Sequence, residues 1–326
     1  MKKIRIGICG YGNLGKGVEL AIKSNPDMEL VCIFTRRNNS SLVIAPCVET
    51  ANTNDLPLWK DKIDVMILCG GSHKDLPIQG PEVSQLYNTV DSFDTHSDIS
   101  MYYDSINKSA KKNKHVSIIS VGWDPGLFSL NRLINNAVLP KGNSYTFWGK
   151  GVSQGHSDAI RQISGVKNAI QYTIPVESAI NSIKNGENLE LNTMQKHVRE
   201  CFVVIENGVN KSEIENEIKN MPKYFSDYNT IVNFISEEEL EINHSKMPHG
   251  GFVIKSGITE NGNKQVMEFS LKLDSNPEFT ASVLISYARA AYRMNKNGIC
   301  GAKTVFDVPP YLLSIKSRKD LVKELL

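Results

Sequence analysis

The sequence predicts a two-part α/β chain: a doubly wound parallel sheet with helices on both faces, then an α+β domain with an open mixed or antiparallel sheet. Three observations predict it. Short apolar runs of strand length alternate with helical patterns through the first third of the 326 residues. The first run, Ile4–Cys9, enters a glycine-rich turn, Gly10-Tyr11-Gly12-Asn13-Leu14-Gly15, followed by a helical pattern from Lys16 to Ser24. After about Gly126 the texture changes to β-like runs with sparse helices.

The opening turn carries the first chemistry. Gly10 permits a tight turn, Gly12 lets the backbone approach a pyrophosphate, and Gly15 lets the helix pack closely on the strand. Unpaired N–H groups and the helix dipole then favour an anion at the helix start. Together these are the marks of a Rossmann-type dinucleotide site. A version built for NAD usually ends its second strand in an acid for the ribose hydroxyls. Here Leu30-Val31-Cys32-Ile33-Phe34 ends in Thr35-Arg36-Arg37. Two guanidiniums suit the extra phosphate of NADP, because arginine grips phosphate in a bidentate fork.

The next strands are expected at Glu29–Thr35, Ile63–Cys69, Asn88–Ser92 and Val116–Ser120. In such sheets the ligand sits beyond the carboxyl ends of the strands. Those ends read Cys69-Gly70-Gly71-Ser72, Asp91-Ser92-Phe93-Asp94 and Ser120-Val121-Gly122-Trp123-Asp124-Pro125-Gly126. Small residues there would let the ribose and nicotinamide lie close to the backbone.

In the second domain helices are expected at Leu127–Val138 and Ile214–Met221. Strands are expected at Thr146–Gly149, Ala169–Ile174, Cys201–Ile205, Thr230–Ile235, Gly251–Ile258 and Gln265–Leu273. Gly149–Asp158, rich in glycine and polar groups, predicts a mobile functional loop. The Ala-rich pattern Phe279–Met294 predicts a buried helix. The expected domains are 1–125 for the cofactor and 126–296 for substrate and dimerisation, with 297–326 packing back on the first.

Composition excludes several functions. A formal net charge of +2, with Lys and Arg scattered, gives no reason to expect nucleic-acid or membrane partners. Cys9, Cys32, Cys47, Cys69, Cys201 and Cys300 lack metal-type spacing and fit a reducing cytoplasm better than a disulfide framework. No apolar run approaches membrane-span length, and Arg5 interrupts the one N-terminal stretch that resembles a signal peptide. A soluble cytoplasmic protein without a metal site is expected.

Asp94 and Asp124 stand at adjacent strand ends beside the expected nicotinamide. Either alone would read as a helix cap or Asx turn, but the two together point to an ammonium that is held and then deprotonated. The second domain offers the opposite sign. Arg199 is suited to clamp a carboxylate or to sit on the surface, and His249 stands in the tight loop Met247-Pro248-His249-Gly250-Gly251. Asn276 reads first as a turn residue, Thr173 as a β-former, and Trp123 and Trp148 as cavity walls or core. The residues alone therefore describe an NADP-dependent oxidoreductase acting on a small amino acid with a carboxylate.

The chain also resembles a known family. Gly10–Gly15, Thr35-Arg36-Arg37, Cys69–Ser72, Val90–Asp94 and Gly122–Gly126 are similar to motifs of the meso-diaminopimelate dehydrogenases. So are Phe147-Trp148-Gly149, Ser153–Ala159, Met247–Gly251, Leu271–Asp274 and Pro310–Ser314. The resemblance implies a homodimeric enzyme of lysine and cell-wall precursor metabolism. It would reversibly deaminate the D-centre of meso-diaminopimelate with NADP, giving L-2-amino-6-oxopimelate and ammonia. It places Asp94 and Asp124 at the reacting amine with Trp123 beside them. Thr173, Arg199, His249 and Asn276 go to the distal L-amino acid end, with Trp148, Gln154 and Gly155 lining the cavity. The cofactor residues it implies are Gly10–Gly15, Thr35–Arg37, Cys69–Ser72, Ser92–Asp94 and Val121–Pro125. Trp148 and Gln154 depart from some relatives, which carry Phe and Met there, and both bear on tolerance for other D-amino acids. Rival readings are another NADP reductase of this architecture, such as dihydrodipicolinate reductase or homoserine dehydrogenase, and a non-catalytic NADP-binding sensor.

Overall fold

The structure is a computed structural model and describes residues 2–36 and 48–326. By contact the chain divides into two compact units, Met1–Leu130 with Pro277–Leu326, and Asn131–Asn276.

In the first unit strands β1 (Ile4–Cys9), β2 (Met28–Thr35), β3 (Glu49–Asn52), β4 (Val65–Leu68), β5 (Asn88–Asp91) and β6 (Val116–Ile118) join a seventh, Gly301–Lys303. From the seventh strand inward the order is β6-β5-β4-β1-β2-β3, with every pair parallel. The order reverses about the β1/β4 pair, so the carboxyl ends of these two strands form the switch point where such sheets bind ligands. Every residue of β4 is buried. Val65 and Ile67 share one core with Ile6, Ile8, Val18 and Ile22, whereas Met66 and Leu68 share the other with Leu76, Val83 and Ile106. A strand covered on both faces must be apolar throughout, which is why these segments carry no alternation. Helix Asn276–Lys296 buries Ala281, Leu284, Ala288 and Ala291 in the first of these cores. Its packing therefore assigns it to the first unit, unlike the expected boundary at 296.

The second unit holds β7 (Gly142–Trp148), β8 (Gly151–Val152), β9 (Val166–Pro175), β10 (His197–Ile205), β11 (Asn229–Phe234), β12 (His249–Ile258) and β13 (Lys264–Leu273). The mixed and antiparallel character is as expected, but it is shared between two sheets. A four-stranded sheet runs β11-β10-β9-β8, parallel only between β10 and β11. A three-stranded antiparallel sheet runs β13-β12-β7.

The segment Gly149–Asp158, expected as a loop, instead forms β8 and the start of helix Gln154–Arg161. Ser157 Oγ donates to Ser153 O at 2.7 Å and accepts the Gln171 N–H at 2.9 Å, which ties the helix to β9. Among the described residues, no helix is long and apolar enough to cross a membrane, and no cluster of His, Cys, Asp and Glu is fit to hold a metal.

Candidate active site

The glycine turn shows a separate reason for each glycine. Gly10 has φ +97°, a left-handed value that favours glycine. A Cβ on Gly15 would lie 2.3 Å from Gly10 O, so strand and helix could not pack as they do. Around Gly12 a Cβ would meet nothing within 4 Å. Packing does not demand that glycine, but an incoming pyrophosphate would. Gly12 also caps helix Asn13–Lys23 without a side-chain hydrogen bond, and the first turn holds no acid. An anion is thus the natural partner of these N–H groups. Tyr11 is buried and its hydroxyl donates to Glu19.

At the tip of β2, Thr35 is buried and Arg36 is exposed. Arg36 Nη2 meets Asp75 Oδ1 at 2.8 Å. Arg37 lies outside the described residues.

The loops after β4, β5 and β6 are tied together. Cys69 N donates to Cys9 O at 2.8 Å, which joins the β4 loop to the end of β1 just before the glycine turn. Asp94, exposed, donates its backbone N–H to Ser72 Oγ at 3.2 Å. Asp91 lies behind both acid-bearing loops, fully buried. Its Oδ1 accepts the N–H of Phe93 at 3.0 Å and of Ser120 at 3.1 Å, and its Oδ2 accepts the Tyr102 hydroxyl at 2.8 Å. Burial pushes this carboxyl up to about 6, although the three donors favour its ionised form. One side chain therefore fixes where the Asp94 and Asp124 segments leave the sheet. Phe93 stacks on Tyr102 with ring centres 4.1 Å apart. Trp123 is buried edge-on to Phe128, and half-buried Asp124 precedes Pro125 through a cis peptide.

In the second unit a cross-strand row runs Gly151, Thr173, Arg199, Thr230 over β8 to β11. Arg199 is 7% exposed. Its Nη1 donates to Thr173 Oγ1, and its guanidinium lies over the Tyr228 ring. Among the described residues it pairs with no carboxylate. Burial lowers its pKa, and the same positive charge, added to burial, helps push His156 down to about 4.

His249 packs on Gly151, where a Cβ would lie 2.5 Å from His249 Cγ. Its Nδ1 accepts the Gly250 N–H at 2.8 Å. Gln154 Nε2 donates to Met247 Sδ at 3.3 Å, and Asn276 N donates to Met247 O at 3.0 Å. Nothing lies within 4 Å of a Cβ on Gly155. Trp148, 40% exposed, stacks on His197, and its N–H donates to His197 Nε2.

The second unit thus joins Thr173, Arg199 and His249 through Gly151, joins Gln154 and Asn276 through Met247, and sets Trp148 on His197. Sequence reasoning missed Asp75, Asp91, His197 and Tyr228. Of these, only Asp91 lies within a segment singled out for another reason, the strand end Asp91-Ser92-Phe93-Asp94.

A parallel sheet whose glycine turn lies at its switch point, with a cationic tip on the second strand, defines a dinucleotide-binding dehydrogenase of the Rossmann class. Residues 122–275 match the family model described as the diaminopimelic acid dehydrogenase C-terminal domain. A meso-diaminopimelate D-dehydrogenase of Ureibacillus thermosphaericus is 63% identical over 326 residues, all of both chains. A crystal structure of the Clostridium tetani E88 enzyme, with DAP and the substitutions Q154L, T173I, R199M, P248S, H249N and N276S, is 54% identical. It has a TM-score of 0.95, over 99% of this chain and 100% of that one. An engineered D-amino acid dehydrogenase bound to NADP+ is 43% identical with a TM-score of 0.87 over the whole of both chains. The chain belongs to the meso-diaminopimelate dehydrogenase family.

Proposed function

We propose that this chain catalyses reversible oxidative deamination of the D-centre of meso-2,6-diaminopimelate, giving L-2-amino-6-oxopimelate, ammonia and NADPH. The observation that carries the reading is Arg199: a buried guanidinium without a carboxylate partner among the described residues, in a relative of 63% identity to a meso-diaminopimelate D-dehydrogenase. A desolvated cation is costly unless paired, and a substrate carboxylate supplies the pair. The six substitutions in the Clostridium tetani variant fall, number for number, on residue types present here: Gln154, Thr173, Arg199, Pro248, His249 and Asn276. That match supports assigning Thr173, Arg199, His249 and Asn276 to the distal amino-acid end and Gln154, with Trp148 and Gly155, to the walls, and adds Pro248.

Gly10–Gly15 bind the pyrophosphate, Thr35 and Arg36 the ribose phosphate, and Cys69–Ser72, Ser92–Asp94 and Val121–Pro125 the ribose and nicotinamide. Arg37 joins the phosphate grip by its place in the sequence. The open space at Gly12 and the acid-free helix start fit such a ligand. Bound NADP+ supplies the hydride acceptor. Asp94 orients the substrate ammonium and Asp124 takes its proton, so that the amine lone pair can assist departure of hydride. Water then adds to the same carbon, again with proton help from Asp124, and ammonia leaves. Binding at the distal end decides which stereocentre reacts, since remote contacts position the reacting carbon.

The first unit serves as the cofactor domain and the second as the substrate and dimerisation domain of a cytoplasmic homodimer. The free cysteines among the described residues support that compartment, and β13, an edge strand in which Leu273 alone is buried, supports a second copy. Sedimentation at twice the mass of one chain tests the dimer. The catalytic reading is tested by NADPH absorbance with meso-diaminopimelate, with homoserine as a control that should give no signal.

A further inference from the structure

We infer that Asp75 is a positioning residue for the ribose-phosphate grip and so sets the preference for NADP over NAD, an inference that rests on the assignment of Arg36 above. Asp75 occupies the cap position of helix Leu76–Val83, where an aspartate ordinarily accepts an N–H of its own helix. It makes no such bond. Instead its Oδ2 accepts the N–H of Gly71 at 2.9 Å and its Oδ1 faces Arg36 Nη2 at 2.8 Å. The fit behind it is tight: a Cβ on Gly70 would lie 2.7 Å from Asp75 Cβ. One oxygen is therefore locked to the backbone of the β4 loop, and the other can only look outward at the guanidinium.

Stability does not explain this arrangement. The Arg36 side chain is 69% exposed, and an ion pair in that setting contributes roughly 0–1 kcal/mol. Orientation explains it better. Arginine offers five N–H donors in a rigid plane, and Asp75 engages Nη2 alone among the described residues. The rest of the fork stays available while the plane is held, so a ribose phosphate meets a guanidinium that has already lost rotamer freedom. NAD, lacking the phosphate, draws no benefit. The same carboxylate holds Gly71, whose neighbour Ser72 receives the Asp94 N–H. The phosphate grip and the amine-binding loop thus share one anchor.

The test is equilibrium binding of NADP+ and of NAD+, by calorimetry, to the parent chain, Asp75→Ala, Asp75→Asn, Arg36→Ala and the Asp75→Ala/Arg36→Ala double variant. Asp75→Ala is expected to weaken NADP+ by about three- to fivefold and NAD+ by less than about twofold, the upper scale of an exposed ion pair. Asp75→Asn retains an acceptor for Gly71 but not the charge, so its selective loss of NADP+ affinity would show that the ion pair is responsible. In the Arg36→Ala background, Asp75→Ala should leave the NADP+/NAD+ ratio unchanged. Equal weakening of both cofactors, tighter NADP+ binding, or additive losses in the double variant would overturn the role of Asp75. If Arg36→Ala itself left the ratio unchanged, the phosphate assignment of Arg36 would fail first.

Discussion

The guanidinium carbon of Arg199 lies 3.9 Å from the centre of the Tyr228 ring. Stacking on one face and a bond to Thr173 on its rim orient the cation without neutralising it. Such a group is built to receive an anion. Arg199→Ala should therefore raise KM for meso-diaminopimelate by about 10- to 100-fold, the worth of hydrogen bonds to a charged partner. NADP+ affinity should stay within about twofold. Arg199→Lys should recover little, because an ammonium cannot reproduce a planar fork over a ring. Steady-state kinetics with a separate cofactor titration checks this, and an unchanged substrate KM would remove Arg199 from the site.

The two aspartates should separate kinetically. Asp124→Asn removes the proposed proton acceptor, and loss of general base catalysis costs about 10²- to 10⁴-fold in kcat. Asp94→Asn should act mainly on KM, because an amide still accepts a hydrogen bond from the ammonium while losing the charge that attracts it. Comparison of kcat and KM for both variants at saturating NADP+ decides the roles. The opposite pattern would exchange them.

Gly12 and Gly15 make a contrast within one turn. Alanine at 12 has open space, so Gly12→Ala should keep the melting temperature within about 2 °C, since Gly and Ala differ by only a few tenths of a kcal/mol to ~1 kcal/mol at helix caps. The same change should weaken NADP+ binding at least about tenfold by obstructing the pyrophosphate. Gly15→Ala would set a methyl 2.3 Å from Gly10 O and should unfold the chain at lower temperature. Thermal melts alongside cofactor titrations distinguish the two effects. A Gly12 variant with normal NADP+ affinity would contradict the assigned turn.

His197 links stability to pH. Its Nε2 accepts the Trp148 N–H at 2.9 Å, which requires an unprotonated nitrogen, and burial, aided by Arg199 and Lys196, pushes the ring down to about 4. The unfolded ring titrates near 6.5, so the unfolded state takes up the proton first. The stabilisation is complete above about pH 6.5, declines as pH falls toward about 4, and is gone below it. Asp91 runs the other way, since its folded value is raised. The comparison must therefore be variant against parent at each pH. His197→Gln keeps an acceptor for Trp148 without a titrating ring, so its melting temperature should fall less between pH 7 and pH 4.5 than that of the parent. Parallel melting curves would show that His197 does not titrate as described.

The sequence made some of this legible and not the rest, for physical reasons. The first turn, the apolar parallel strands and the strand-end acids are local patterns, in which spacing alone dictates geometry. The strand β3 is short and at a sheet edge, and β8 has two residues, too few for a period to show. Helix Leu76–Val83 contains Pro77, Gly80 and Pro81, residues that ordinarily mark its absence. Arg36 and Asp75 are 39 residues apart, and Trp148 and His197 are 49 apart. Pairings of that range are created by sheet order and leave no periodic trace. The assignment of Thr173, His249 and Asn276 to the distal substrate end came from family resemblance rather than from pattern, because a β-former, a loop histidine and a turn asparagine look ordinary in isolation.

The most direct measurement of the central claim is the initial rate of NADPH formation with meso-diaminopimelate, set beside L,L-diaminopimelate and beside NAD+ as cofactor. Turnover is expected with the meso isomer and NADP+, none with the L,L isomer, which has no D-centre, and a much lower rate with NAD+. No turnover of the meso isomer, or equal rates with both isomers, would contradict that claim.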